Sequence, residues 1–133
     1  MKIAPPLLVV STLLLSAFPA LAELKPCEGK CVVTVTVPAG CGSGIAVAPD
    51  PIVVPKEKTA EIQWSIATKG WTFEDDGIVI HQSTETAFGK GPAGAKATFT
   101  VKNTNRKTAT YKYDINLKGP GGRCSRDPTI VNQ

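Results

Sequence analysis

The sequence predicts an all-β protein, a sandwich of about seven or eight short strands. Three observations favour this fold class. Several short runs alternate apolar, often β-branched residues with polar ones, which is the pattern of half-buried strands. No segment carries the 3.6-residue period of an amphipathic helix. Glycine and proline together supply 23 of the 133 residues, a composition typical of a chain with many turns.

The first half of the chain contains four predicted strands. The earliest is β-branched throughout, which favours extended backbone. Pro49 and Pro51 force a bend between the second and third strands because neither can donate to a sheet ladder. In the fourth strand Ile62, Trp64 and Ile66 share one face, so this strand is expected to bury that face. The four predicted strands are residues 32–37, 45–47, 52–54 and 60–67.

The second half contains the remaining strands, separated by polar or glycine-rich segments. Residues 74–77 are predicted to form a turn, and residues 89–95 a long glycine-rich loop. The longest predicted strand places Tyr111, Tyr113, Ile115 and Leu117 on one face and polar residues on the other. The predicted strands are residues 78–80, 97–101, 109–117 and 130–131.

The N-terminus has the pattern of an export signal. Lys2 is followed by a nearly continuous apolar run, and Ala20-Leu21-Ala22 matches a signal-peptidase site. We therefore expect a cleaved signal peptide at residues 1–22, a single domain at residues 23–133 and a periplasmic or secreted protein. The apolar run is too short for a permanent membrane span. Removing Lys2 lowers the formal charge from +4 to +3, too weak a bias to predict nucleic-acid binding.

Four cysteines in an exported chain predict two disulfides. Three pairings are possible. A Cys31–Cys41 bridge is disfavoured because the strand between them spans roughly 20 Å, whereas bridged Cα atoms lie within about 7 Å.

Three segments of the chain resemble cupredoxins. Residues 51–56 and 60–64 are similar to the second and third strands of that family, Tyr111-x-Tyr113 to its penultimate strand, and residues 127–131 to its closing strand. The resemblance implies a Greek-key, cupredoxin-like sandwich. It also implies that Cys41 and Cys124 lie at the same end of the sandwich, so we expect a Cys41–Cys124 bridge, with Cys27–Cys31 at the opposite end.

The copper ligands of that family have no counterpart here. Cupredoxins bind copper through two histidines, a cysteine thiolate and usually a methionine. The resemblance aligns the cysteine ligand with Ile115, and residues 69–73 contain no histidine at the place of the first. The chain holds one histidine, His81, and its single methionine, Met1, belongs to the predicted signal peptide. We therefore predict no type-1 copper site and no cofactor.

The sequence predicts no catalytic or metal site. His81 accompanies no nucleophile motif, so it is interpreted as a solvated residue at a strand edge. Residues 74–76 are three adjacent carboxylates without the twelve-residue pattern of a calcium loop. Seven basic residues against one acid between Lys102 and Arg126 are interpreted as a solvated hairpin in preference to a polyanion patch.

Four residues are candidate partner contacts: Trp71, Phe73, Arg123 and Arg126. Trp71 has two interpretations that the sequence leaves open. It is either an exposed contact residue in its glycine-flanked loop, or a plug that folds over the sandwich end together with Phe73.

The leading hypothesis is an exported, non-catalytic and monomeric sandwich that recognises an unknown protein or surface partner. One alternative is a periplasmic protein that binds copper weakly through His81 and carboxylates. A small enzyme is disfavoured because no set of acid, base and nucleophile is evident in the sequence.

Overall fold

The computed structural model describes residues 25–81 and 96–133. The predicted signal peptide and the predicted glycine-rich loop at residues 89–95 lie outside these described residues. The predicted all-β sandwich is confirmed, with nine strands and one short 3-10 helix, Gly40–Ser43. The strands are β1 Gly29–Thr36, β2 Ala46–Ala48, β3 Ile52–Val54, β4 Ala60–Ile66, β5 Thr72–Ile80, β6 Thr98–Asn103, β7 Ala109–Gly119, β8 Gly122–Arg126 and β9 Thr129–Asn132.

The strands form two sheets. The four-stranded sheet has the order β2-β1-β4-β6, in which β1 and β4 are parallel neighbours. The five-stranded sheet has the order β3-β9-β7-β5, and β8 also pairs with β7. One side of β7 pairs with β5. The other side pairs first with β9 and then with β8, and residues 127–128 separate these two strands.

The core lies between the sheets and is built by alternation along the strands. In β4 the buried positions include Ile62 and Trp64, and in β7 they run from Tyr111 to Leu117 at every second residue, as predicted. The four-stranded sheet also contributes Val33, Val35, Phe99 and Val101, and the five-stranded sheet contributes Ile52, Val54, Phe73 and Ile130.

The four cysteines form two disulfides, Cys27–Cys31 and Cys41–Cys124, with Cα–Cα distances of 5.6 and 5.5 Å. These are the pairs that the cupredoxin resemblance implied. The first closes a ring of five residues before and within the start of β1. The second disulfide joins β8 to the 3-10 helix that follows β1. It therefore links the loop between β1 and β2 of the four-stranded sheet to a strand of the five-stranded sheet. Two disulfides fit an oxidising compartment.

Two segments differ in type from the prediction, besides shifts of one to three residues at the ends of other strands. Residues 74–77, predicted as a turn, lie inside the nine-residue strand β5, which begins at Thr72. Residues 122–126 were not predicted as a strand, but they form β8 by pairing with the second half of β7. Among the residues that the structure describes, no helix has the length and apolar character needed to cross a membrane.

Candidate binding surface

The two aromatic contact candidates, Trp71 and Phe73, are buried. Phe73 pairs with Leu117 across β5 and β7 and faces the core, where its ring meets that of Phe99 edge-on at 5.7 Å. Trp71 is 6% exposed, and its ring lies over Gly119, where any side chain would overlap it. Of the two interpretations of Trp71, its burial fits the plug, and both rings are withdrawn from solvent. The physical reason is the missing Cβ of Gly119, which leaves room for the indole.

A β-bulge carries the three adjacent carboxylates to the outside of the five-stranded sheet. The register with β7 shifts between Phe73 and Ile78, so the four residues from Glu74 to Gly77 stand opposite a single residue, Asn116. The Asn116 side chain donates from Nδ2 to the Asp76 carbonyl oxygen at 2.8 Å and holds the bulge. Gly77 is required there, because a Cβ would lie only 2.7 Å from the Cβ of Phe73.

Arg123 lies beside this bulge. Its Nε donates to Glu74 Oε1 at 2.7 Å, while the Arg123 side chain stays 80% exposed and that of Glu74 is 15% exposed. The pair borders a cleft of about 370 Å³, which we call the bulge cleft. The bulge cleft is lined by Phe73, Glu74, Asp75, Asp76, Lys118 and Arg123. Three carboxylates and two cations therefore line the same concave surface.

Arg126, the other arginine candidate, forms hydrogen bonds within the protein that stabilise the fold. Its Nη1 donates to the Ile45 carbonyl oxygen at 2.5 Å, and its Nη2 lies 3.3 Å from Asp50 Oδ2. The second Asp50 oxygen accepts a hydrogen bond from the backbone N–H of Thr129 at 3.3 Å. Arg126 and the neighbouring Cys41–Cys124 bridge thus tie β8 to the chain that connects β1 with β3.

A second cleft of about 350 Å³ lies next to the first, and we call it the aspartate cleft. It is lined by Asp114, Asn116, Ser125, Arg126 and Asp127. Asp114, Asn116 and Lys118 alternate with the buried residues of β7, so they share the outer face of the sheet. Asn116 both borders the aspartate cleft and holds the bulge, so the two clefts are neighbours on the outer face of the sheet, and we call this surface the two-cleft face.

His81 lies just after β5 at the edge of this surface. Its Nε2 is 2.9 Å from Asp114 Oδ2, and the two side chains are 48% and 36% exposed. Asp114 belongs to β7, which separates β5 from β8 and its Ser125. In a Ser-His-Asp triad the histidine lies between the acid and the nucleophile. Here the strand order places the carboxylate between His81 and Ser125, so these three residues are not arranged as a Ser-His-Asp triad.

The residues do not fit the copper centre of cupredoxins. Ile115, at the position that the resemblance gives to the cysteine ligand, is fully buried and aliphatic. All four cysteines are in disulfides, so none offers a thiolate. Across residues 25–81 and 96–133, no three histidine, cysteine or acidic side chains are grouped closely enough to hold a metal ion.

In comparisons with known proteins, no protein-family model matches this sequence, and none of the curated proteins is significantly similar to it.

Proposed function

We propose that this protein is an exported, non-catalytic sandwich of the cupredoxin type that recognises a protein or surface partner through its two-cleft face. The observation that carries the proposal is the juxtaposition of two clefts on the outer face of the five-stranded sheet. The Arg123 side chain is 80% exposed even though it is paired with Glu74, so its guanidinium can bind a partner without a rearrangement of the fold. Polar clefts held by rigid strands are a usual basis for recognition.

The charges of the two-cleft face favour a mixed-charge partner. The bulge cleft presents Glu74, Asp75 and Asp76 beside Lys118 and Arg123, and the aspartate cleft adds Asp114 and Asp127. A polyanion such as nucleic acid would meet these carboxylates and be repelled. A protein surface with interspersed acidic and basic groups complements the face better.

The test is affinity capture from periplasmic extract with charge-reversed variants. The face variant combines Lys118→Glu with Arg123→Glu, and the matched control combines Lys56→Glu with Lys102→Glu, two exposed lysines away from this face. We expect wild type and control to retain the same partner. The affinity of the face variant for that partner should be at least tenfold lower, which corresponds to a loss of about 1.4 kcal/mol in binding free energy. Equal retention by the face variant would contradict the proposal.

The alternative function, weak copper handling, has one observation in its favour. His81 Nε2 and Asp114 Oδ2 lie 2.9 Å apart, so an imidazole nitrogen and a carboxylate oxygen are available side by side. Equilibrium dialysis with Cu(II) and with Cu(I) separates the two functions. Stoichiometric binding that His81→Ala abolishes would favour copper handling, whereas the recognition proposal predicts no such binding.

A further inference from the structure

A third cavity lies at the start of β1, beside the Cys27–Cys31 disulfide. β4 covers β1 from Gly29 to Val35, but β2 pairs only with residues 34–36 on the opposite edge. The chain leaves β2 at Ala48 and turns at Pro49, so no strand within residues 25–81 and 96–133 pairs with the start of β1 on that side. The resulting cavity has a volume of about 530 Å³, within the range of small-molecule sites.

The walls of this cavity are held in place from several sides. The disulfide closes residues 27–31 into a ring. The backbone N–H of Cys27 donates to the Val53 carbonyl at 2.7 Å, and that of Gly29 donates to the Thr59 carbonyl at 3.1 Å. These bonds fix the segment against β3 and against the start of β4. A ligand would therefore meet a preformed site and would not have to order its walls.

The floor of the cavity is apolar. Pro26, the disulfide, Val32 and Pro49 line it. Val32 is 54% exposed, although its neighbour in the strand, Val33, is fully buried. Burial of apolar surface by a ligand gains roughly 25 cal/mol per Å², so an aliphatic chain is stabilised on this floor.

The rim of the cavity is cationic. Lys25 and Lys30 line it, and neither forms a salt bridge with a residue that the structure describes. The one acid of the lining, Glu28, is paired through Oε1 with Lys58 Nζ at 3.2 Å. Two ammonium groups that form no ion pair within the described part of the chain, above an apolar floor, favour a ligand with a negative head and an aliphatic tail.

We propose that this cavity binds a small aliphatic carboxylate, with its tail against Val32 and the disulfide and its head between Lys25 and Lys30. The site is independent of the two-cleft face, since none of its residues lines either cleft. Loss of one activity therefore leaves the other intact, and each is tested separately.

The probe is octanoate, titrated into the purified disulfide-bonded protein and followed by amide NMR shifts. We expect saturable shifts centred on residues 25–32. Acetate lacks the tail, octanol lacks the charge, and octyltrimethylammonium reverses it. Acetate is expected to bind at least about tenfold more weakly because it leaves the apolar floor uncovered. Octanol and octyltrimethylammonium are expected to bind at least about tenfold more weakly because they lose the attraction of two ammonium groups together.

Variants assign the binding to the rim. Lys25→Glu combined with Lys30→Glu is expected to weaken octanoate binding at least about tenfold, while Lys56→Glu combined with Lys102→Glu leaves it unchanged. All four lysines are exposed, so neither variant disturbs the core. Three outcomes would overturn the proposal: no saturable shifts at residues 25–32, equal binding of octyltrimethylammonium, or undiminished octanoate binding by the Lys25/Lys30 variant.

Discussion

The indole of Trp64 donates a hydrogen bond from Nε1 to the hydroxyl oxygen of Tyr113 at 3.2 Å, between two fully buried side chains. Trp64 belongs to β4 in one sheet and Tyr113 to β7 in the other. Their ring centroids are 5.4 Å apart, with the planes tilted by 59°. The pair therefore links the two sheets by a directional hydrogen bond inside the core.

Tyr113→Phe should destabilise the protein by about 1–3 kcal/mol, because it keeps the ring but leaves the buried indole N–H without its acceptor. Urea unfolding at neutral pH, followed by circular dichroism, measures the change in the free energy of unfolding. The control is the double variant Trp64→Phe/Tyr113→Phe, whose loss should be smaller than the sum of the two single losses. Additive losses would show that the hydrogen bond contributes nothing.

Stability should also fall at alkaline pH through Tyr113. Burial, partly offset by the Trp64 hydrogen bond, raises the pKa of the Tyr113 hydroxyl well above its ordinary value of about 10. Below pH 10 the Tyr113 hydroxyl is protonated in both the folded and the unfolded chain, so its contribution to the free energy of unfolding is fully present. Above pH 10 the unfolded state loses its proton first, so the free energy of unfolding decreases by up to about 1.4 kcal/mol per pH unit.

The measurement is the urea midpoint between pH 9 and pH 11 for wild type and for Tyr113→Phe. The wild-type midpoint should decline more steeply than that of the variant, since only the wild type carries this proton. Parallel declines would mean that Tyr113 titrates alike in the folded and unfolded chains.

Gly119→Ala should destabilise the protein by about 1–3 kcal/mol, because the added methyl group overlaps the Trp71 ring and forces it outward. Tryptophan emission should shift to longer wavelength as the indole gains solvent. Gly42→Ala is the matched control, since a Cβ at Gly42 meets nothing within 4 Å. An unchanged stability in Gly119→Ala would contradict the plug role of Trp71.

We expect Arg126 to contribute to stability and Arg123 to contribute to partner recognition but little to stability. Arg126→Gln loses charged hydrogen bonds to Ile45 and Asp50 and should cost about 1–2 kcal/mol, discounted for its partial exposure. Arg123→Gln loses only an exposed ion pair and should stay within about 0.5 kcal/mol of wild type. Thermal unfolding of both variants checks this, and equal losses would remove the distinction.

The strands that alternate clearly could be predicted from the sequence. In β4 and β7 one face is buried and the other is solvated, so apolar and polar residues mark the two faces directly. β8 lacks this pattern because Cys124 is its only buried residue, and its extended form comes from pairing with β7. The bulge in β5 depends on a hydrogen bond from Asn116, forty residues away, and no local signal reveals it.

The candidate surface was predicted only in part. Arg123 was identified as a contact candidate, but the burial of Trp71 depends on its packing over Gly119, which is distant in sequence. The pair formed by Asn103 and Asn132 escaped prediction as well. Its amides exchange hydrogen bonds of 2.8 and 3.3 Å between β6 and β9 in full burial, whereas asparagine is usually a surface residue.

Titration of the oxidised protein with Cu(II), followed by visible absorption, tests most directly whether this chain lacks the type-1 copper centre of cupredoxins. We predict no intense thiolate-to-copper band at any ratio, because the four cysteines are consumed in disulfides and His81 is the only histidine of the chain. An intense band that saturates at one copper per chain would contradict both the disulfide pairing and the proposed function.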